Sequence, residues 1–124
     1  MSSERLYAPD TNLWLEPDGA GALLVGLAPR IAVLFGVPEY AALPSPGDEI
    51  VPNVPFGSLE NAKTALDLAL PFAAVVTALE TAADPGAVRA ALDAGRALLR
   101  VRPSGDDWRE GLLDEAGYHA FVSP

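Results

Sequence analysis

Apolar residues in this chain come in short runs, broken every few positions by Gly, Pro or charge. Leu13–Leu15 and Leu23–Val25 flank "EPDGAGA" (16–22), which reads as a turn between two short strands. In "LAPRIAVLFG" (27–36) Pro29 stands where a first helical turn tolerates it and Gly36 where a helix stops. One or two helical turns are predicted there, with Ile31, Leu34 and Phe35 facing inward. "EYAAL" (39–43) reads as a short strand and "PSPGDE" (44–49) as a loop or turn. Within "IVPNVPFGSLE" (50–60), Pro52 and Pro55 withhold ladder N–H groups, so the run is predicted as an edge-like or bulged strand. Asn61 to Thr64 then separate it from "ALDLAL" (65–70), where Leu66, Leu68 and Leu70 share one face and Asp67 the other. The pattern predicts a hairpin with Lys63 at or beside its tip.

Pro71 ends that strand, and "AAVVTALE" (73–80) is the next. "DPGAVRAALDAG" (84–95) carries helix punctuation: Asp84 as N-cap, Pro85 just inside, Val88 and Leu92 at i, i+4, and Gly95 past the end. "RALLRVR" (96–102) returns as a strand. The tail from Ser104 predicts one or two short helices, with Trp108, Leu112, Leu113, Tyr118 and Phe121 available to cover the sheet. Seven or eight short strands joined by Gly/Pro turns predict a mainly β protein, a sandwich or flattened barrel. At 124 residues the chain suits one compact unit, 1–124.

Composition narrows the partners. Half the residues are hydrophobic and 20% are charged, a globular balance. A net charge of −9 argues against nucleic acid, whose phosphates need a basic surface. It suits docking onto basic faces of partner proteins, or simply solubility. No apolar stretch is long enough to span a bilayer, and no basic segment followed by an apolar run opens the chain. A soluble cytoplasmic protein, free of membrane, is therefore expected. The absence of Cys removes disulfides, Cys-ligated metals and Cys nucleophiles together. The single His, His119, cannot build a His-rich zinc site, and its setting reads as a surface or packing residue. No metal site is predicted.

The basic residues raise the sharper question. Of eight, seven are Arg, and the one Lys is Lys63. An amine acting as nucleophile or general base needs burial or a cationic neighbour to lower its pKa. Glu60 and Asp67, the nearest charges in sequence, favour the ammonium form instead. Lys63 therefore reads as an attachment point offered to a modifying enzyme, not as a catalytic residue. Arg cannot be acylated in that way.

"FGSLENAKTALDLALPF" (56–72) resembles the lipoyl-attachment hairpin of the glycine cleavage system H protein family. Phe56, Gly57, Glu60, Lys63, Asp67, Leu68 and Pro71 fall on the family pattern without a gap. "LPSPGDEI" (43–50) is similar to the family's Leu-Pro-x-x-Gly-Asp-x-Val, and residues 7–28 and 106–121 resemble its opening strands and C-terminal helical region. The resemblance implies a flattened lipoyl-type β-barrel sandwich of two antiparallel sheets with short added helices. It implies lipoic acid in amide linkage on Lys63, with Glu60, Gly57 and Asp67 serving recognition by a lipoate ligase or lipoyl transferase. The implied role is a non-enzymatic monomeric carrier. It takes an aminomethyl group from a PLP-dependent glycine decarboxylase, hands it to a folate-dependent aminomethyltransferase, and is reoxidised by dihydrolipoyl dehydrogenase. A carrier without Cys has no thiol of its own to exchange with the dithiolane.

The match also breaks. The family's Asp-His-Glu-Trp reads here as Asp10-Thr11-Asn12-Leu13, with Trp14 one place late. Its Ser-Gly after the Pro is Ala73-Ala74, and its Tyr-Gly-Glu-Gly-Trp has become Ala94-Gly95-Arg96-Ala97. By resemblance several of these positions lie on the surface that contacts partners or shelters the loaded arm. Besides glycine cleavage, two alternatives stay open at this point: a paralogue lipoylated for another acceptor or for lipoyl relay, and an interaction domain that is never modified.

Overall fold

The computed structural model describes residues 4–122. Among them the chain forms nine strands and three short helices: β1 (Leu6–Ala8), β2 (Leu13–Pro17), β3 (Leu23–Leu27), α1 (Pro29–Phe35), β4 (Tyr40–Ala42), β5 (Glu49–Ile50), β6 (Gly57–Glu60), β7 (Ala65–Leu68), β8 (Ala74–Leu79), α2 (Pro85–Asp93), β9 (Leu99–Pro103) and α3 (Glu115–Val122). A six-stranded sheet runs in the order β1-β2-β3-β9-β8-β5, and a three-stranded sheet in the order β4-β6-β7. All their pairings are antiparallel.

Period-2 alternation sets what lies between the sheets. Leu13 and Leu15 of β2, Leu23, Val25 and Leu27 of β3, and Leu99 and Val101 of β9 turn inward from the large sheet. Leu59, Leu68 and Leu70 close the core from the small-sheet side, and each is almost completely buried. The opposite face of the large sheet has its own cover. There Tyr7, Trp14, Ala28, Ala97 and Tyr118 form a second buried cluster, the last contributed by α3. Tyr7 and Tyr118 stack with ring centroids 4.6 Å apart, and the guanidinium of Arg5 lies 3.7 Å above the Trp14 ring.

Local chemistry fixes the predicted helices. Asp84 Oδ1 accepts the Ala87 N–H at 3.1 Å, capping α2, and Pro85 and Pro29 open α2 and α1. Gly36 ends α1 with its N–H donated to Ala32 O.

Four expectations need correction. Leu34 does not face inward: α1 packs through Ile31, Ala32 and Phe35 and leaves Leu34 70% exposed. Phe121 covers nothing, because α3 turns Tyr118 toward the sheet and leaves Phe121 58% exposed. The stretch 50–60 is not one bulged strand: Ile50 belongs to the large sheet and Gly57–Glu60 to the small one, with Pro52 and Pro55 in the crossing between them. The strands number nine rather than seven or eight, since the two-residue β5 and the three-residue β1 and β4 each pair separately.

Candidate modification site

β6 and β7 form the predicted hairpin, in the register Gly57↔Leu68, Ser58↔Asp67, Leu59↔Leu66 and Glu60↔Ala65. Leu59 and Leu68 point to the core, which sends Ser58, Glu60, Ala65 and Asp67 to the outer face. The four-residue tip, 61–64, contains no Gly, so side chains must satisfy its backbone. Asn61 does most of this. Its Oδ1 accepts N–H bonds from Lys63 and Thr64, both at 2.9 Å, and its own N–H is donated to Thr64 O. Its Nδ2 reaches across to Phe35 O at 2.7 Å, tying the tip to the end of α1. The Ala62 N–H goes to Glu39 Oε2 at 3.1 Å. Each N–H of the tip thus has an acceptor.

On this pinned backbone Lys63 is exposed, and its amine makes no ion pair or side-chain hydrogen bond among the described residues. Glu60 ends β6, exposed, and Asp67 lies further along β7 on the same outer face, also exposed. Gly57 is elsewhere, at the far end of the hairpin and partly buried. A Cβ there would run into the carbonyl of Ala42 in β4, so close strand packing is a sufficient reason for glycine at this position.

Sequence reasoning missed Asn61 and Glu39 as parts of the site. Asn in a tight loop without Gly was the available signal for the first. Nothing local marks Glu39, which arrives from β4's approach, 23 residues away.

The departures from the family pattern fall into two groups. Asn12 is built into the scaffold: it sits at φ +61°, its carbonyl accepts the Ala28 N–H, and its Oδ1 accepts the Tyr118 hydroxyl at 2.7 Å. Burial pushes the Tyr118 phenol up, which keeps it a hydrogen donor. The Thr11 hydroxyl is likewise buried. Ala73 and Arg96, in contrast, are on the surface. His119 lies on the exposed side of α3, beside an apolar cavity of about 580 Å³ between α3 and the start of α1. Among the described residues no group of three or more His, Asp or Glu is placed to hold a metal ion, and no helix is long and apolar enough to cross a membrane.

Known proteins place this scaffold. A glycine cleavage system H protein from Marinomonas sp. is 28% identical over 122 residues, covering 97% of this chain and 96% of its own. One from Mycobacterium sp. (strain KMS) is 29% identical over 132 residues, covering 95% and 94%. The chain is similar over nearly its whole length to glycine cleavage system H proteins. The crystal structure of such an H protein from Mycobacterium marinum superposes with a TM-score of 0.74 over 97% of both chains, at 24% identity. That likeness establishes the flattened lipoyl-type sandwich of two antiparallel sheets with short added helices. No family model matches the chain. The resemblance to H proteins therefore extends over nearly the whole chain.

Proposed function

We propose that residues 1–124 act as one carrier unit of a glycine cleavage system, holding lipoic acid in amide linkage on Lys63 and doing no chemistry of its own. The observation that carries this reading is the contrast at the tip: a backbone whose N–H groups are all bonded presents the chain's only lysine to solvent, unpaired. The relatives named glycine cleavage system H protein support it over nearly the whole chain.

The tip fits the group. A primary amine on a flexible stem is the acceptor that amide formation needs, and nothing at the tip has to rearrange to release it. In the coupling, the bond from Nζ to the lipoyl carboxyl carbon forms as that carbon's bond to an activating adenylate breaks. The adenylate leaves and the amine gives up one proton. Once attached, lipoic acid supplies a disulfide that takes up an aminomethyl group on one sulfur as the ring is reduced. The protein's part is to hold that arm out from a rigid base. Glu60, at the end of β6 next to the tip, and Asp67, further along β7, are both exposed on the outer face of the hairpin and serve recognition by the lipoate ligase or lipoyl transferase. Glycine decarboxylase, aminomethyltransferase and dihydrolipoyl dehydrogenase are the partners of the loaded arm, met by a cytoplasmic monomer.

Co-expression with a lipoate ligase and lipoate is expected to add one lipoyl mass to the intact protein, and Lys63→Arg to abolish the addition. Full modification of the Lys63→Arg protein would overturn the assignment.

A further inference from the structure

Seven large apolar side chains are well exposed among the described residues, and four of them, Val33, Leu34, Val37 and Tyr40, occupy one segment. Their exposures are 80, 70, 51 and 72%. Segment 33–40 runs from the last turn of α1 into β4, directly alongside the Lys63 tip. Asn61 Nδ2 bonds Phe35 O, Glu39 N–H bonds Glu60 O at 2.7 Å, and Glu39 Oε2 holds Ala62 N–H. Tyr40 pairs with Glu60 across β4 and β6, which puts its ring on the outer face of the small sheet beside that carboxylate. Apolar side chains and attachment residue therefore belong to one rigid surface. On the side toward the tip its rim is acidic, with Glu39 and Glu60 exposed and Asp67 further along β7, on a chain of net charge −9. On the side toward α2, Arg89 and Asp93 flank Val33.

We propose that segment 33–40 is the docking surface for the enzyme that acylates Lys63, a partner presenting an apolar patch ringed by Lys and Arg. This rests on the reading of Lys63 as the attachment site. Several exposed apolar side chains gathered in one segment beside charged groups resemble the anatomy of a protein interface, and Tyr is among the residues that anchor one. Reach decides which protein. An acylating enzyme must bring its own active site to the bare amine, at the end of one lysine stem on a four-residue tip, and so must press against whatever flanks the tip. Enzymes that use the loaded arm meet its far end and can dock elsewhere. The acidic rim selects a basic contact face and speeds the encounter at low salt.

The test is the rate at which the apo protein gains one lipoyl mass with a lipoate ligase, ATP and lipoate. Leu34→Ser/Val37→Ser is expected to lower kcat/KM for the apo protein on the order of tenfold or more, as loss of about 1.4 kcal/mol of docking energy does. Complete modification on long incubation and an unchanged melting temperature show that Lys63 and the fold are intact. Val51→Ser/Val54→Ser, which removes two other exposed apolar groups near the other end of the hairpin, is expected to leave the rate within twofold. Equal rates for the 34/37 variant and the parent overturn the docking surface and leave the attachment site standing. Failure of the parent to gain mass overturns the attachment reading itself. Two further results would also overturn the proposal. One is an equal loss of dihydrolipoyl dehydrogenase turnover on fully loaded 34/37 variant, which gives the surface to arm-using enzymes. The other is concentration-dependent self-association of the parent that the variant abolishes, which gives it to a second copy.

Discussion

The β2–β3 turn and the β6–β7 tip are closed by the same device and finished in opposite ways. In the first, Asp18 Oδ1 accepts N–H bonds from Ala20 and Ala22; in the second, Asn61 Oδ1 accepts from Lys63 and Thr64. The first acceptor is an acid, and its charge is used up inside the fold. Asp18 Oδ2 takes a 3.0 Å hydrogen bond from Arg100 of β9, and Arg100 also meets Glu80. The Ala20 N–H above all, with Ala22 and Arg100 adding to it, holds the Asp18 carboxyl below the usual carboxylate range. The second acceptor is a neutral amide, and its spare group bonds a backbone carbonyl. No charge at the tip is committed to Lys63. The scaffold turn pairs its ions; the tip leaves its cation unpaired among the described residues.

Each hairpin also has one glycine that another group overlies, and these two positions should give the largest effects. A Cβ on Gly26 would enter the Trp14 indole, which is buried with Arg5 stacked above it, while a Cβ on Gly57 would meet the Ala42 carbonyl. Gly26→Ala is expected to cost about 2–3 kcal/mol, read as a lower urea midpoint at unchanged m-value. Gly57→Ala is expected to cost about 1–2 kcal/mol, because Ala42 sits on a three-residue edge strand that can shift. The reverse order would make the small sheet the more rigid half and break the comparison.

The tip itself comes next. Asn61→Ala removes two accepted bonds and one donated bond, but the freed groups are exposed or part-buried and water can replace them. A loss of about 1–2 kcal/mol is expected, with faster amide hydrogen exchange confined to residues 62–64. Exchange that stays slow there would mean that Glu39 alone holds the tip.

The smallest effect concerns charge. Asp18→Asn keeps the Oδ1 acceptor and loses the ion pair, which is worth under about 1 kcal/mol for a partly exposed pair. Because the folded-state pKa of Asp18 is depressed, its stabilisation is present above the unfolded value of about 4 and is lost as pH falls through the folded one. The melting-temperature gap between parent and variant should therefore be full at pH 7 and close below about pH 4. A gap that survives in acid would show that the turn geometry, not the charge, carries the effect.

Much of this arrangement could be read before any coordinates, and the reasons are local. The β2–β3 turn, the Asp84 cap, the Pro29 start and the Lys63 tip each follow from residues within a few positions of one another. The alternation of Leu66, Leu68 and Leu70 against Asp67 likewise names its own buried face. What stayed hidden depends on distant neighbours. Pro52 and Pro55 mark a strand edge and a crossing between sheets equally well, so the split of 50–60 had no local sign. In α1, Ile31, Val33, Leu34 and Phe35 leave hardly a polar side, and which apolar residues are buried depends on where the helix lands. At the site, the lysine was legible because composition isolates it. The bonds that stiffen its surroundings, Asn61 to Phe35 and Ala62 to Glu39, span 26 and 23 residues and were not.

The exposed amine on its stiff base has a consequence for fidelity. Every other side-chain cation in the chain is a guanidinium, which an acylating reagent does not take. A modifying enzyme that docks a little askew, or releases its activated cargo early, finds no second side-chain amine on this protein to mislabel. If Lys63 is loaded as proposed, accuracy is then enforced by the lack of wrong side-chain targets as well as by recognition of the right one.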